Sequence, residues 1–171
     1  MKKINAKYIT TTAMLITIAL ILSYIETLLP VIPIPGAKMG LSNIITLLAL
    51  MSYGFPTALV ILVIRSFISS ILFTSLFSFV YSMAGGLLSL TVMFILIKSF
   101  KEKLSLMSVS IVGAITHNLG QLVVAMFILE TEKVLTFLPW LIIIAIPAGI
   151  IVGLSVKYCL KHFKNLLKAN R

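Results

Sequence analysis

Arg65 stands at the centre of FPTALVILVIRSFISSILF, a stretch otherwise fit for the interior of a bilayer. Its guanidinium is a fixed cation with a planar set of donors that matches carboxylate or phosphate. A second apolar stretch, SVSIVGAITHNLGQLVVAMFIL, carries His117, Asn118 and Gln121 at its own centre. His117 and Gln121 are four residues apart and share a helix face, with Gly113 one turn earlier. Gly113 and Gly120 let a ligand or a neighbouring helix come close. Ionisable groups at mid-bilayer cost roughly 2.5–3.5 kcal/mol each on insertion scales, so they usually face a cavity and serve a function. Two stretches that place such groups at similar depth predict a polar site inside a helical bundle.

The elements that must hold this site are read from hydropathy. The chain has 171 residues, of which 60% are hydrophobic and 11% charged, with a mean hydropathy of +1.18. A soluble domain is about one quarter charged. The composition predicts an all-α, polytopic membrane protein, one integral domain over residues 1–171 with no room for a soluble catalytic domain. Six spans are expected, at about 8–26, 40–53, 55–74, 77–98, 107–129 and 137–157. The second is short for a crossing, which takes roughly 20 residues; it is either tilted or begins below the surface. Pro30, Pro33 and Pro35 keep the preceding loop extended and Gly36 allows it to turn. Ser42 and Asn43 are expected to cap or line the start of the second helix. The N-terminal KKINAK followed by an apolar run is reminiscent of a signal peptide. The run is long and lacks a small-residue cleavage site, which predicts an uncleaved first span.

Charge sets the expected orientation. Six spans place both termini on one side. With that side cytoplasmic, Lys2, Lys3, Lys7, Lys98, Lys101, Lys103, Lys157, Lys161, Lys164, Lys168 and Arg171 lie inside, against Lys38 and Lys133 outside. Eleven against two predicts a multi-pass protein of the cell membrane with cytoplasmic termini. The formal charge of +10 does not point to nucleic acid, because the basic residues lie at span ends and in the tails. The tail KYCLKHFKNLLKANR is expected to be an interfacial helix over anionic lipid.

With this orientation Glu26, Lys38, Asn43, Arg65, Tyr81, Ser82, His117, Asn118 and Gln121 fall in the outer half of the bundle. They predict a binding cavity that opens outward beneath the proline-rich loop. The excess of cations over Glu26 favours an anionic or phosphorylated ligand with a sizeable apolar part. Plainer readings stand beside this one. Arg65 can pair with Glu26 or with helix-end carbonyls and simply hold the bundle together. His117, Asn118 and Gln121 can be interhelical hydrogen-bond glue, and Tyr81 an aromatic-belt residue. Ser82, Gly86 and Ser89, and Ala145, Gly149 and Gly153, read as packing stripes, and Pro147 as a kink. No catalytic centre is expected: there is no paired carboxylate in the bundle and no Ser-His-acid spacing. No cofactor is expected, and the single Cys159 excludes an internal disulfide and any multi-cysteine metal site.

The stretch PIPGAKMGLSNIITLLAL, followed in order by VYSMAGGLLSLTVM and THNLGQLVVA, resembles the Gx transporter family, also called heptaprenyl diphosphate synthase component I. Glu26 and Arg65 fit the same pattern, and the resemblance covers about residues 13–155. That family in turn is similar to the substrate-binding S components of energy-coupling factor transporters. The resemblance implies a six-helix subunit that captures a small solute outside and docks on a transmembrane coupling subunit with two ATPases. It implies site roles for Lys38, Asn43, Arg65, His117, Asn118 and Gln121. It also implies a small-residue docking stripe on the first helix, at Ala13 and Thr17 or at Ala19 and Ser23. The synthase name implies a different role, an accessory subunit for polyprenyl diphosphate or quinone synthesis beside a prenyl diphosphate synthase. The chain has no aspartate, so it lacks the aspartate-rich motifs that hold magnesium against diphosphate.

Overall fold

A computed structural model describes residues 6–29, 40–100 and 103–169, with side chains to residue 162. Lys38, Lys101, the three loop prolines and Gly36 lie outside the described residues. Six α-helices follow one another: α1 (Ala6–Leu28), α2 (Asn43–Tyr53), α3 (Phe55–Phe73), α4 (Leu76–Phe100), α5 (Leu106–Ile128) and α6 (Leu138–Ala169). A 3₁₀ turn, Glu132–Phe137, precedes α6. No strand occurs among the described residues.

Five of the helices are long and apolar enough to cross a bilayer, which makes the chain a multi-pass membrane protein. The expected six spans resolve into these five and α2, which has only 11 residues. At 1.5 Å per residue α2 is about 16 Å long, roughly half of a hydrocarbon core of about 30 Å.

Side-chain pairs set the register. Tyr8 Oη and Thr57 Oγ1 are 2.9 Å apart, and the rings of Tyr24 and Phe73 are 5.2 Å apart, so α1 and α3 run parallel. The pairs Phe55–Phe94 and Phe67–Phe79 set α4 antiparallel to α3. Ser89 Oγ donates to the Gly113 carbonyl at 2.7 Å and Gly120 presses on Gly85, which sets α5 antiparallel to α4. Gly149 and Gly153 of α6 press on the backbone of Ile111 and Met107, so α6 is antiparallel to α5. The expected packing stripes are therefore buried contacts, with small residues letting backbones approach as helices in lipid require.

Local chemistry fixes the ends. Gly54 alone separates α2 from α3. Its φ of +89° is open to glycine at little cost, and its N–H closes α2 on the carbonyls of Ala49 and Leu50. Pro56 opens α3, where its missing N–H costs nothing. Ser105 caps α5 by accepting from the Ser108 N–H at 3.0 Å.

The six consecutive residues from Ile45 to Leu50 are all buried. A helix apolar all round belongs inside, and α2 is the axis on which α1, α3, α4 and α6 pack. Around it Ile61, Leu62, Leu90, Met93, Val109, Val152 and Val156 form the main core. α1 is the most exposed helix and turns only Leu15, Ala19 and Ser23 inward. Of the two docking stripes implied for α1, Ala19 and Ser23 are thus packed inside, while Ala13 and Thr17 stay on the outer face. α6 runs through Pro147 and on to Ala169 without a break. The basic tail is therefore helical and continuous with the last span.

Candidate functional site

The site begins where α2 begins. Arg65 lies near the middle of α3, only 4% exposed. Its Nη1 donates to Ser42 Oγ and its Nη2 to Asn43 Oδ1, the latter at 3.0 Å. The parallel register of α1 and α3 places this contact well below the Leu28 and Phe73 ends of those helices. α2 therefore starts at mid-depth in the bundle. Non-helical backbone is tolerated at such depth only where protein buries it or a cavity borders it. Here both hold: Gly40 is buried and its N–H donates to a Glu26 carboxylate oxygen.

Gly40 has a φ of +74°, and a Cβ there would lie 2.8 Å from Asn43 Nδ2, so backbone and space both select glycine. Of the two roles expected for Ser42, capping α2 with its side chain or lining its start, it takes the second. It is helical itself, makes no capping bond, and presents its hydroxyl to Arg65. A continuous polar chain thus runs from Glu26 of α1 through Gly40, Ser42 and Asn43 to Arg65 of α3. It leaves Arg65 with further donors of the guanidinium fork. Nε–H is buried without a hydrogen-bond partner among the described residues.

Next to this chain lies a cavity of about 10 Å³, bordered by Gly40, Asn43, Ser89, Gly113, His117 and Asn118 and closed by α6 around Ala145. Its volume suits about one water molecule. His117 is 4% exposed and faces α4 at Gly85. Asn118 donates through Nδ2 to the Leu141 carbonyl at 3.1 Å and so ties α5 to α6.

The structure brings Asn43, His117 and Asn118 to one cavity and joins Arg65 and Glu26 to it through Asn43 and Gly40. The other expected residues lie apart from it. Gln121 is one turn beyond His117, 1% exposed, and neither amide atom has a partner among the described residues. Ser82 is buried on α4. Tyr81 packs against the smaller apolar cluster of Leu122, Ala125, Val134 and Leu141. Lys38 lies outside the described residues.

Sequence reasoning missed Gly40, Ser66, Ser70 and Ser89. Ser66 and Ser70 are four apart on α3, buried, with hydroxyls that have no partner among the described residues. Leaving a buried polar group unsatisfied costs about 1–3 kcal/mol, so this set asks for a bound partner. The spacing RSFISS carried the only signal. Among the described residues no three side chains are grouped to hold a metal ion.

No curated protein and no solved structure matches the chain. A family model described as heptaprenyl diphosphate synthase component I matches residues 15–159, from within α1 to within α6, and covers both the polar chain and the cavity. With most of its length matched, the protein belongs to the heptaprenyl diphosphate synthase component I family.

Proposed function

We propose that the protein is the solute-binding membrane subunit of a small-molecule importer and holds an anionic or amphiphilic solute at the start of α2. The observation that carries this reading is the half-length helix. α2 opens at mid-depth, its first residues are held by a buried arginine, and the same residues border the cavity of His117 and Asn118. Discontinuous helices whose N-termini end near the midplane are a recurrent way to hold anionic groups in transporters. Arg65 takes the charge with its remaining donors, Asn43, His117 and Asn118 orient the polar part, and Gln121 and Ser82 extend the site along α4 and α5. Glu26 sets the position of Gly40. Lys38 and Tyr81 act at the mouth. The cavity of about 10 Å³ is the site before loading, so capture involves separation of the helices around it.

In this reading both termini are cytoplasmic and the site faces outward, as the lysine distribution supports. The chain carries no nucleotide-binding motif, so uptake draws on a coupling subunit and ATPases as partners. The family name favours a second reading, a non-catalytic subunit that accompanies a heptaprenyl diphosphate synthase.

The test is mass spectrometry of the small molecules released from protein purified in lipid nanodiscs. Wild type should release an anionic molecule with an apolar part in near-stoichiometric amount, and Arg65→Ala should not. Release of bulk lipid alone would overturn the importer reading. Stoichiometric co-purification of a prenyl diphosphate synthase with no small molecule would establish the second.

A further inference from the structure

We propose that Gln121, with Ser66 and Ser70 from across α4, forms a second recognition level that takes the neutral edge of a lactam or imide, a carbonyl beside an N–H. The inference rests on the solute-binding reading and gives the solute a chemical feature besides its negative charge.

The three side chains are 1%, 0% and 2% exposed, and the Gln121 amide and both hydroxyls have no partner among the described residues. The register places Ser66 and Gln121 at one level of α4, with Ser70 one turn further toward the Phe73 end of α3. Leu62 of α3 lies at Gly86 of α4, and Phe67 lies at Phe79, so Ser66 is level with Ser82. Gly85 lies at His117 and Gln121, so Gln121 is level with the same turn of α4. Ser82 is one turn from both Gly85 and Gly86, on the face of α4 between its neighbours. Ser66 follows Arg65, so this layer adjoins the guanidinium that would hold the charge.

A primary amide offers one acceptor and one donor side by side. A phosphate ester or a quinone carbonyl serves only Nε2 and leaves Oε1 idle. A carboxylate does the same and brings its charge against Oε1. A lactam or imide edge serves both atoms at once, and the serine hydroxyls can give or accept beside it. The Gln121 and Leu62 side chains stand over Gly85 and Gly86 in the room a Cβ would need, so a planar group enters beside Ser82 only as these neighbours step back. A Cβ on Gly85 would be 2.8 Å from Gln121 Cγ, so the layer is closed in the present packing and opens as α4 moves off α5.

The probe is 2-quinolone, a neutral bicyclic lactam, compared with N-methyl-2-quinolone by titration of the purified protein. Wild type should bind the lactam at least about fivefold more tightly, the equivalent of one net hydrogen bond. Gln121→Leu should bring the ratio close to one, and the empty variant should melt no lower than wild type, because an idle buried amide is gone. Gln121→Met keeps the unbranched shape and replaces it if the leucine variant does not fold. Equal binding of the two probes by wild type, binding of neither, or a ratio retained in the variant overturns the proposal. So does a lower melting temperature of the empty variant, or failure of both variants to fold, since either makes the amide structural. The probe carries no charge, so failure of the anion reading shows in the Arg65→Ala release experiment and not here.

Discussion

Arg65 directs two nitrogens at Ser42 and Asn43 and keeps Nε–H without a partner among the described residues. That division is what the proposed function uses: two nitrogens hold the protein together and the third is left for a solute. Arg65→Lys keeps the charge but loses the fork, so it should lower the melting temperature and weaken retention of the released molecule. Arg65→Ala should weaken that binding by about 2–5 kcal/mol where the anion is left buried and unpaired. His117→Ala should weaken it by about 0.5–1.5 kcal/mol, one net hydrogen bond. Lys161→Ala, in the exposed end of α6, should not change it. Titration of each variant with the molecule released from wild type checks all four. Gly40→Ala should destabilise by about 1–3 kcal/mol, from the positive φ and the approach to Asn43, which thermal unfolding in detergent measures. Arg65, His117, Asn118 and Gln121 were legible in the sequence because such side chains are rare in apolar spans. Gly40, Ser66 and Ser70 were not, because glycine and serine are ordinary packing residues in membrane helices. Only the missing partners set those two serines apart.

At the level of helices, tight contacts differ in what they can yield to. A Cβ on Gly149 would meet the Ile111 Cα at 2.6 Å, and backbone cannot step aside. A Cβ on Gly113 would meet the Met93 Sδ at 2.5 Å, the end of a flexible side chain. Gly149→Ala should therefore cost about 1–3 kcal/mol, and Gly113→Ala less, in the same unfolding measurement. The helix ends, apart from the far end of α6, were legible to within a few residues because a bilayer selects for length and apolarity together. The half-length of α2 showed as a short run that left a tilt and a start below the surface both open, and the choice between them depends on a contact between residues 22 apart. The extension of α6 was hidden by charge. Lysine and leucine continue a helix as well as they mark an interface, and no glycine or proline stops it after Gly153.

For the whole molecule, orientation is the open quantity that most constrains function. With Cys159 replaced, a cysteine probe at Lys133 should react with an impermeant reagent added outside, and one at Lys101 should not. The reverse pattern would turn the site toward the cytoplasm and remove the capture role. The bundle also divides along its axis. Near Gly54 the helices meet through aromatic and aliphatic side chains and the one hydroxyl pair of Tyr8 and Thr57, and toward the start of α2 they meet through hydroxyls, amides and the guanidinium. α2 belongs to both halves. It joins α3 through a single residue at one end and is held by Arg65 at the other. In mechanical terms it is a rod on a pivot with a catch at its free end. Under the proposed function a solute drawn to the remaining Arg65 donors pulls on the guanidinium that holds Ser42 and Asn43, and the expected response is a turn of the rod about Gly54. Distances between spin labels at Leu41, beside the free end of α2, and at the exposed Lys133, with and without solute, measure that rotation, and unchanged distances would exclude it. The catch and the pivot lie at opposite ends of α2, about 16 Å apart, so occupancy at one depth becomes a change of shape at another.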